Sequence, residues 1–186
     1  RRFAREGYVA CLARRSADKL QPLVEQIRAE GGEARGFATD ARKEDEVAKL
    51  VETIEAEIGA IEVFVFNIGA NVPCGILDET ARKFFKIWEM ACFSGFLTGQ
   101  AVARRMAARR RGTILCTGAT AAVRGAANFG AVATANRLLE LMRSDRVRVA
   151  GLRRSAGAAS RVFSVLCERP IASVGGLTLA RDARIA

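Results

Sequence analysis

The chain has 186 residues, half of them hydrophobic, which is enough for one domain with a sizeable core. No apolar stretch is long enough to span a bilayer or to follow the basic N-terminus as a signal peptide, so a cytoplasmic protein is expected. The net charge is +10, and its densest arginine cluster, at 104–105 and 109–111, has no interleaved aromatic residues for base stacking, which favours a solvated surface over a nucleic-acid interface.

Strands and helices alternate through the first part of the chain. Residues 1–6 resemble the last turns of a helix that Gly7 breaks, and an apolar strand follows at 8–13. Ser16 is a candidate N-cap for an amphipathic helix that ends at Gly31 and Gly32. A second strand is expected at 34–38, a helix at 44–58, and the strongest strand of the sequence at 61–66.

A long helix is predicted next, at 80–108, followed by a strand at 112–116. The long helix is expected to bury five residues, namely Phe84, Ile87, Trp88, Cys92 and Phe96. Beyond about residue 125 the pattern weakens, with a helix expected at 131–143 and strands at 147–152 and 175–180. This alternation predicts right-handed β-α-β units, and therefore an α/β fold with a parallel, doubly wound sheet in three layers.

The cysteines predict free thiols and no metal site. There are five, at positions 11, 74, 92, 116 and 167, and no two form a Cys-x-x-Cys pair. The chain has no histidine to complete a mixed zinc site. We therefore expect reduced, structural cysteines in a reducing compartment.

Five short motifs, in order, resemble the short-chain dehydrogenase/reductase family over nearly the whole chain. They are the strand end Ala13-Arg14-Arg15, the pair Asp40-Ala41, the run 66–70 (Phe-Asn-Ile-Gly-Ala), the strand 112–118, and the closing segment 172–182. The resemblance implies a Rossmann-like fold and an NAD(P)-dependent oxidoreductase acting on carbonyl or alcohol substrates.

The resemblance also implies where a cofactor would bind. Arg14 and Arg15 match the basic residues that contact the 2′-phosphate of NADP, although arginines after a strand are common on surfaces. Asp40 and Ala41 match the pair beside the adenine, and Asp is equally an ordinary turn residue. Asn67, together with Gly69, matches the run that lines the cofactor cleft, where a purely structural turn is the alternative. NADP is the expected cofactor, with NAD as the other possibility.

The sequence departs from the family at its glycine-rich turn. No Gly-x-Gly-x-x-Gly occurs, although glycines there let the backbone approach a pyrophosphate. The family places that turn after a central strand, and the chain begins after both, so we expect it to be N-terminally incomplete. Without that strand, two inner strands of the sheet are expected to have unpaired edges.

The family's catalytic residues are replaced as well. By spacing, the serine position is Ala119, the tyrosine position Val132, the lysine position Asn136 and the asparagine position Ala91. Tyr8 is the only tyrosine, and all five lysines precede residue 90. Residues that could act as general acid and base in the family's manner are therefore absent.

Two interpretations of the whole chain follow. One is a single domain, residues 1–186, that is an oxidoreductase by descent; the other is a catalytically inactive relative that binds a nucleotide or serves as a partner subunit. Segment 131–160 is atypical of the family's substrate region and is either genuine divergence or an out-of-frame stretch. The resemblance also implies a homo-oligomer formed through helix 80–108 and the helix near 131–143, with Phe84, Trp88, Phe96 and Leu138 at the interface.

Overall fold

The computed structural model describes residues 1–69, 72–117, 128–135 and 161–167. Its elements are, in chain order, α1 (Arg2–Arg5), β1 (Tyr8–Arg14), a 3₁₀ turn (Ala17–Leu20), α2 (Gln21–Ala29), β2 (Glu33–Ala38), α3 (Glu44–Glu57), β3 (Ile61–Asn67), α4 (Ala81–Trp88), the π segment (Glu89–Phe93), α5 (Ser94–Arg109), β4 (Thr113–Cys116) and β5 (Arg161–Cys167). Residues 130–135 are also helical.

All strands of the described sheet run parallel, in the order β2-β1-β5-β3-β4. The doubly wound α/β class predicted from the alternation is confirmed. The expectation of two unpaired inner edges is wrong, because β5 pairs with β1 on one side and with β3 on the other. No strand is predicted from the sequence at 161–167, so β5 is a new element at the centre of the sheet.

Apolar cores cover both faces of the sheet. On one face, alternate residues of β1 join β3, α3 and α5, including Cys11, Ile54, Phe66, Val102 and Met106. On the other face, the intervening β1 residues pack with α1, the 3₁₀ turn and α2, including Ala4, Tyr8, Leu12, Val24 and Ile27. This period-two division of β1 is what a strand buried on both faces requires. The result is the predicted three-layer architecture.

The first helices follow the sequence pattern closely. Gly7 ends α1 in a left-handed conformation, φ +83°, which glycine adopts without steric cost. Ser16 precedes the 3₁₀ turn, but its side chain makes no capping hydrogen bond there, and the regular α-helix begins only at Gln21. Pro22 is therefore in the first turn of α2, where its missing N–H costs nothing.

The long helix predicted at 80–108 is interrupted. It consists of α4, the π segment and α5, with Thr80 as N-cap accepting a hydrogen bond from the Lys83 N–H. Ile87 and Cys92 are buried as expected, whereas Phe84 and Phe96 are 37% and 42% exposed, so their predicted burial is wrong. The π segment widens the helix and rotates the residues after it, which turns Phe96 away from the core.

Several predicted elements lie outside the described residues. The strands expected at 147–152 and 175–180 are among them, and so is most of the helix expected at 131–143. Of that helix, Ala131, Val132 and Ala135 are described, and all three are buried.

Candidate functional site

The candidate site lies where the parallel strands end. Arg14, the last residue of β1, is in register with Ala38 at the end of β2, and Asn67 of β3 is in register with Cys167 of β5. Because all these strands are parallel, their carboxyl ends share one edge of the sheet. In open α/β sheets, ligands bind outside this edge, where strand order reverses.

Two arginines occupy the β1 end of this edge. Arg14 is partly buried and its carbonyl oxygen accepts a hydrogen bond from the Thr39 N–H at 3.0 Å, while Arg15 is exposed. Arg15 is close enough to Asp40 to contribute to the lowering of its pKa. The basic pair and the acidic residue predicted from sequence are therefore neighbours across the ends of β1 and β2.

Asp40 begins the turn between β2 and α3, and Arg42 holds its side chain. The Arg42 Nε donates to Asp40 Oδ1 at 2.9 Å, and Nη2 pairs with Oδ2 at 2.5 Å. The Asp40 N–H donates to Glu46 Oε2 at 2.7 Å, which fixes the backbone of the turn. Ala41 is buried in the core below. The turn is thus rigidly built, with its carboxylate at the edge of the sheet.

The electrostatics of this turn predict an acid-dependent stability. The hydrogen bond from Arg42, helped by the nearby charge of Arg15, holds the pKa of Asp40 below its ordinary value of 3.8, although partial burial opposes this. A carboxylate with a depressed folded-state pKa contributes stability above its unfolded pKa, about 4, and loses it as the pH falls through the folded value.

Asp40→Asn should therefore lower the free energy of unfolding at neutral pH by about 1 kcal/mol, because a charged hydrogen bond at a partly exposed site is lost. The deficit should shrink as the pH falls below about 4 and through the lowered pKa of Asp40, where the wild-type carboxyl becomes protonated as well. Urea unfolding across this range measures it, with the exposed Asp18→Asn as control. A deficit that stays constant with pH would contradict the assignment.

The β3 end of the edge carries Asn67 and Gly69. The Thr117 N–H donates to the Phe66 carbonyl oxygen at 2.9 Å, which extends the β3–β4 pairing to this point. Ile68 is buried and anchors the chain between the two predicted residues. Among the residues that the structure describes, no atom lies within 4 Å of where a side chain on Gly69 would begin.

The family's catalytic positions have no acid or base where they are described. Ala91 is buried in the π segment, and Val132 is buried against Ile87 and Ala131. Ala119 and Asn136 lie outside the described residues. Tyr8 is buried in β1 with its ring at 5.5 Å from that of Phe3, centroid to centroid, far along the strand from the carboxyl edge. The two described positions, Ala91 and Val132, thus have no group for proton transfer.

Cys11, Cys74 and Cys92 are free thiols. Cys11 is fully buried in β1, and burial raises the pKa of its thiol to about 12, so it stays protonated and unreactive. Burial also raises the pKa of Cys92.

Within residues 1–69, 72–117 and 128–135, no group of three or more histidine, cysteine or acidic residues could hold a metal ion. In the same part of the chain, no helix is both long and apolar enough to cross a membrane.

The arginine cluster at the end of α5 is engaged in ion pairs. Arg109 pairs with Glu55 of α3 at 2.6 Å and donates to the Ile61 carbonyl oxygen at 3.0 Å, and Arg111 pairs with Glu62 at 2.8 Å. Arg105 also lies 3.8 Å from Glu55. These contacts tie α5 to α3 and β3, which gives Arg105, Arg109 and Arg111 a structural role.

Comparison with known proteins identifies the family. The short chain dehydrogenase profile matches residues 1–144. The chain belongs to the short-chain dehydrogenase family. A short-chain dehydrogenase from Rhodopseudomonas palustris has a similar structure, with a TM-score of 0.73 and 37% identity over 90% of this chain and 76% of that one.

Other short-chain dehydrogenases match over shorter stretches. NAD⁺-bound xylitol dehydrogenase gives a TM-score of 0.72 at 26% identity, covering 76% of this chain and 55% of its own. A short chain dehydrogenase of Pseudocercospora fijiensis is 34% identical over 117 residues, which are 61% of this chain and 37% of the relative. This short-chain dehydrogenase thus spans about half the length, or less, of several curated relatives that it matches.

Proposed function

We propose that this chain is a nucleotide-binding member of the short-chain dehydrogenase family that prefers NADP and does not turn over substrate at enzymatic rates. One observation carries the proposal: the carboxyl edge of the sheet brings Arg14, Arg15 and Asp40 together, while the tyrosine position is the buried Val132. Residues suited to the adenosine end of a dinucleotide are present, whereas the family's glycine-rich turn and its proton-transferring residues do not occur in the sequence.

The residues at the edge suit the adenosine end of NADP. Two guanidinium groups can bind a 2′-phosphate through charge-assisted hydrogen bonds, which are stronger and more directional than neutral ones. The Asp40 carboxylate has further lone pairs beyond those used by Arg42, so it can accept from an adenine amino group. The described atoms leave the space beside Gly69 open to a nicotinamide ribose. A relative of known structure binds NAD⁺, so the NADP preference rests on Arg14 and Arg15.

The absence of turnover follows from what proton transfer needs. A bound nicotinamide would supply or accept a hydride, and a carbonyl substrate then requires a positioned acid at its oxygen. Val132 has no ionisable group, and the sequence has no histidine to replace the tyrosine. The competing function, an active oxidoreductase of carbonyl or alcohol substrates, is favoured by the match to the family profile.

Calorimetric titration with NADPH and NADH, together with turnover assays on ketones and alcohols, tests the proposal. We expect a measurable heat of binding with NADPH, a lower affinity for NADH, and turnover of ketones and alcohols near the background rate. Binding of neither cofactor would refute nucleotide recognition and leave a partner-subunit role. Turnover at ordinary enzymatic rates would instead establish the oxidoreductase and contradict the assignment of Val132. The free thiols are consistent with a cytoplasmic location.

We further propose that the long helix forms a homo-oligomer interface. Four aromatic rings follow one another along it, with centroid spacings of 5.7 Å for Phe85 to Trp88, 5.6 Å for Trp88 to Phe93 and 6.4 Å for Phe93 to Phe96. Phe85 is 59% exposed and Phe96 is 42% exposed. Contiguous exposed aromatic surface of this kind is typical of protein interfaces.

The double variant Phe85→Ser and Phe96→Ser should therefore shift the protein toward monomer, because it removes aromatic anchors from the interface. Analytical ultracentrifugation over a concentration series measures the dissociation constant, which should rise by about tenfold or more. Leu115→Ser, at an exposed position on β4, is the matched control. A wild-type protein that is monomeric at every concentration would refute the interface.

A further inference from the structure

Arg42 links two parts of the molecule that are distant in sequence. On one side it forms the two-point contact with Asp40 at the nucleotide edge, and its own N–H also donates to Asp40 Oδ1 at 3.2 Å. On the other side its Nη1 lies 3.4 Å from Glu89 Oε2. All three side chains are mostly shielded from solvent. One guanidinium therefore joins the turn after β2 to the long helix.

The two ends of this link differ in how firmly they are held. The Asp40 turn is fixed by the Glu46 contact to its N–H and by the Lys43 N–H, which donates to the Asp40 carbonyl oxygen at 3.0 Å. Glu89 is the first residue of the π segment. A π turn lacks the regular hydrogen bonding of an α-helix, so its position depends more on tertiary contacts. Arg42 provides such a contact at the start of the segment.

The π segment matters because it contains Ala91, the position of the family's asparagine, and is followed at once by α5. The Ser94 hydroxyl donates to the Met90 carbonyl oxygen at 2.6 Å, so the far end of the segment is held within the helix itself. Among the described side-chain hydrogen bonds of the segment, the one that reaches another element is Glu89 to Arg42, while Met90, Ala91 and Cys92 make apolar contacts with other elements. The rigid turn is thus connected to the irregular part of the helix through this residue.

We propose that Arg42 is a positioning residue that couples the nucleotide edge to the π segment. The turn orders the segment through the guanidinium, and a nucleotide bound at Asp40 stabilises that order further. Because coupling between two sites is reciprocal, loosening the segment weakens nucleotide binding by the same factor. The nucleotide part of this proposal rests on the proposed function, whereas the link between turn and segment does not.

Hydrogen exchange of residues 89–93 in the nucleotide-free protein tests the link. We expect exchange there to accelerate about tenfold in Arg42→Met, which removes the guanidinium that contacts Glu89, and also in Asp40→Asn, which removes the carboxylate that holds that guanidinium in place. Arg42→Lys should not restore protection, since an ammonium cannot contact Asp40 at two points and Glu89 as well. Lys43→Met is the control, because Lys43 pairs with Glu46 and not with Glu89.

The response to Asp40→Asn is the decisive one, because Asp40 contacts Arg42 and acts on the π segment only through that guanidinium in the part of the chain that the structure describes. Wild-type exchange rates at 89–93 in this variant would overturn the proposal. Full protection in Arg42→Lys would also overturn it, since a single positive charge would then be sufficient.

A second measurement adds the nucleotide. Adenosine 2′,5′-bisphosphate is the probe, because it carries the 2′-phosphate and adenine without the nicotinamide. Trp88, the only tryptophan, directly precedes Glu89 and reports on the segment through its fluorescence. In the wild type and in Lys43→Met, we expect heat of binding and a change in Trp88 emission. In Arg42→Met the affinity should fall about fivefold or more, and the emission change should disappear.

The two readouts separate the two proposals. If the wild type gives no heat with the probe, nucleotide recognition at this edge is wrong, and the exchange experiment still decides the link. If Arg42→Met binds the probe with wild-type affinity and an unchanged emission response, the coupling is wrong while the proposed function survives.

Discussion

Replacing Arg14 and Arg15 together by alanine is expected to weaken NADPH binding by about 100-fold or more while leaving NADH binding nearly unchanged. Each guanidinium contributes a charge-assisted hydrogen bond to the 2′-phosphate, and such bonds contribute about 1.5–3 kcal/mol each. NADH lacks that phosphate, so its binding affinity should change little. Calorimetric titration of both cofactors against wild type and variant measures the change in preference.

Removing two positive charges also changes the electrostatic potential around a basic protein. A control variant must therefore lose the same charge at another place. Arg2→Ala combined with Arg5→Ala removes the same charge from α1, at the opposite end of β1 from Arg14. This variant should bind NADPH as the wild type does. Equal losses in both double variants would mean that net charge, and not contact at the strand end, attracts the cofactor.

Phe66→Ala is expected to lower the free energy of unfolding by about 3–5 kcal/mol, the usual cost of removing a buried aromatic side chain. Phe66 is fully buried in β3 and belongs to the core cluster that also contains Val102 and Met106 of α5. Native domains are stable by only about 5–15 kcal/mol, so this variant should be close to unfolding. Urea denaturation followed by circular dichroism measures the change.

Leu115→Ala is the matched control for this substitution. Leu115 lies in β4, in register with Val65 beside Phe66, but it is 39% exposed. Leu115→Ala should lower the free energy of unfolding by about 1 kcal/mol or less, since the side chain is already partly exposed and folding removes less of its apolar area from water. Similar losses for the two variants would show that the cluster on this face is not packed as described.

The sequence predicted the elements whose patterns are local. The alternation of apolar residues located β1 and β3, and helical spacing located α3 to within one residue of its end. The site residues were predicted from the resemblance to the family. Their grouping agrees with the fold, because Arg14, Asp40 and Asn67 each come at or just after a strand end, and parallel strands bring those ends to one edge.

What the sequence did not predict depends on contacts between distant residues. The helical period of 80–108 gives no sign of where a π turn will interrupt it, and so the exposure of Phe96 was missed. The bond between Arg42 and Glu89 was missed for a related reason: in the sequence each residue alone is an ordinary charged position, and only the fold brings the turn after β2 and the π segment together.

The central position of β5 determines the order in which the sheet can assemble. In the β1–β5 pairing Tyr8 is in register with Arg161, and in the β3–β5 pairing Ile61 is in register with Val162. Both central strand pairings therefore join residues that are far apart in the sequence. During synthesis the β1–β2 and β3–β4 pairs can form early, but they remain two separate ribbons with open hydrogen-bonding edges until β5 emerges. Such high contact order slows folding and prolongs exposure of those edges to other chains. The yield of folded protein should therefore depend on protection of the nascent chain during this interval.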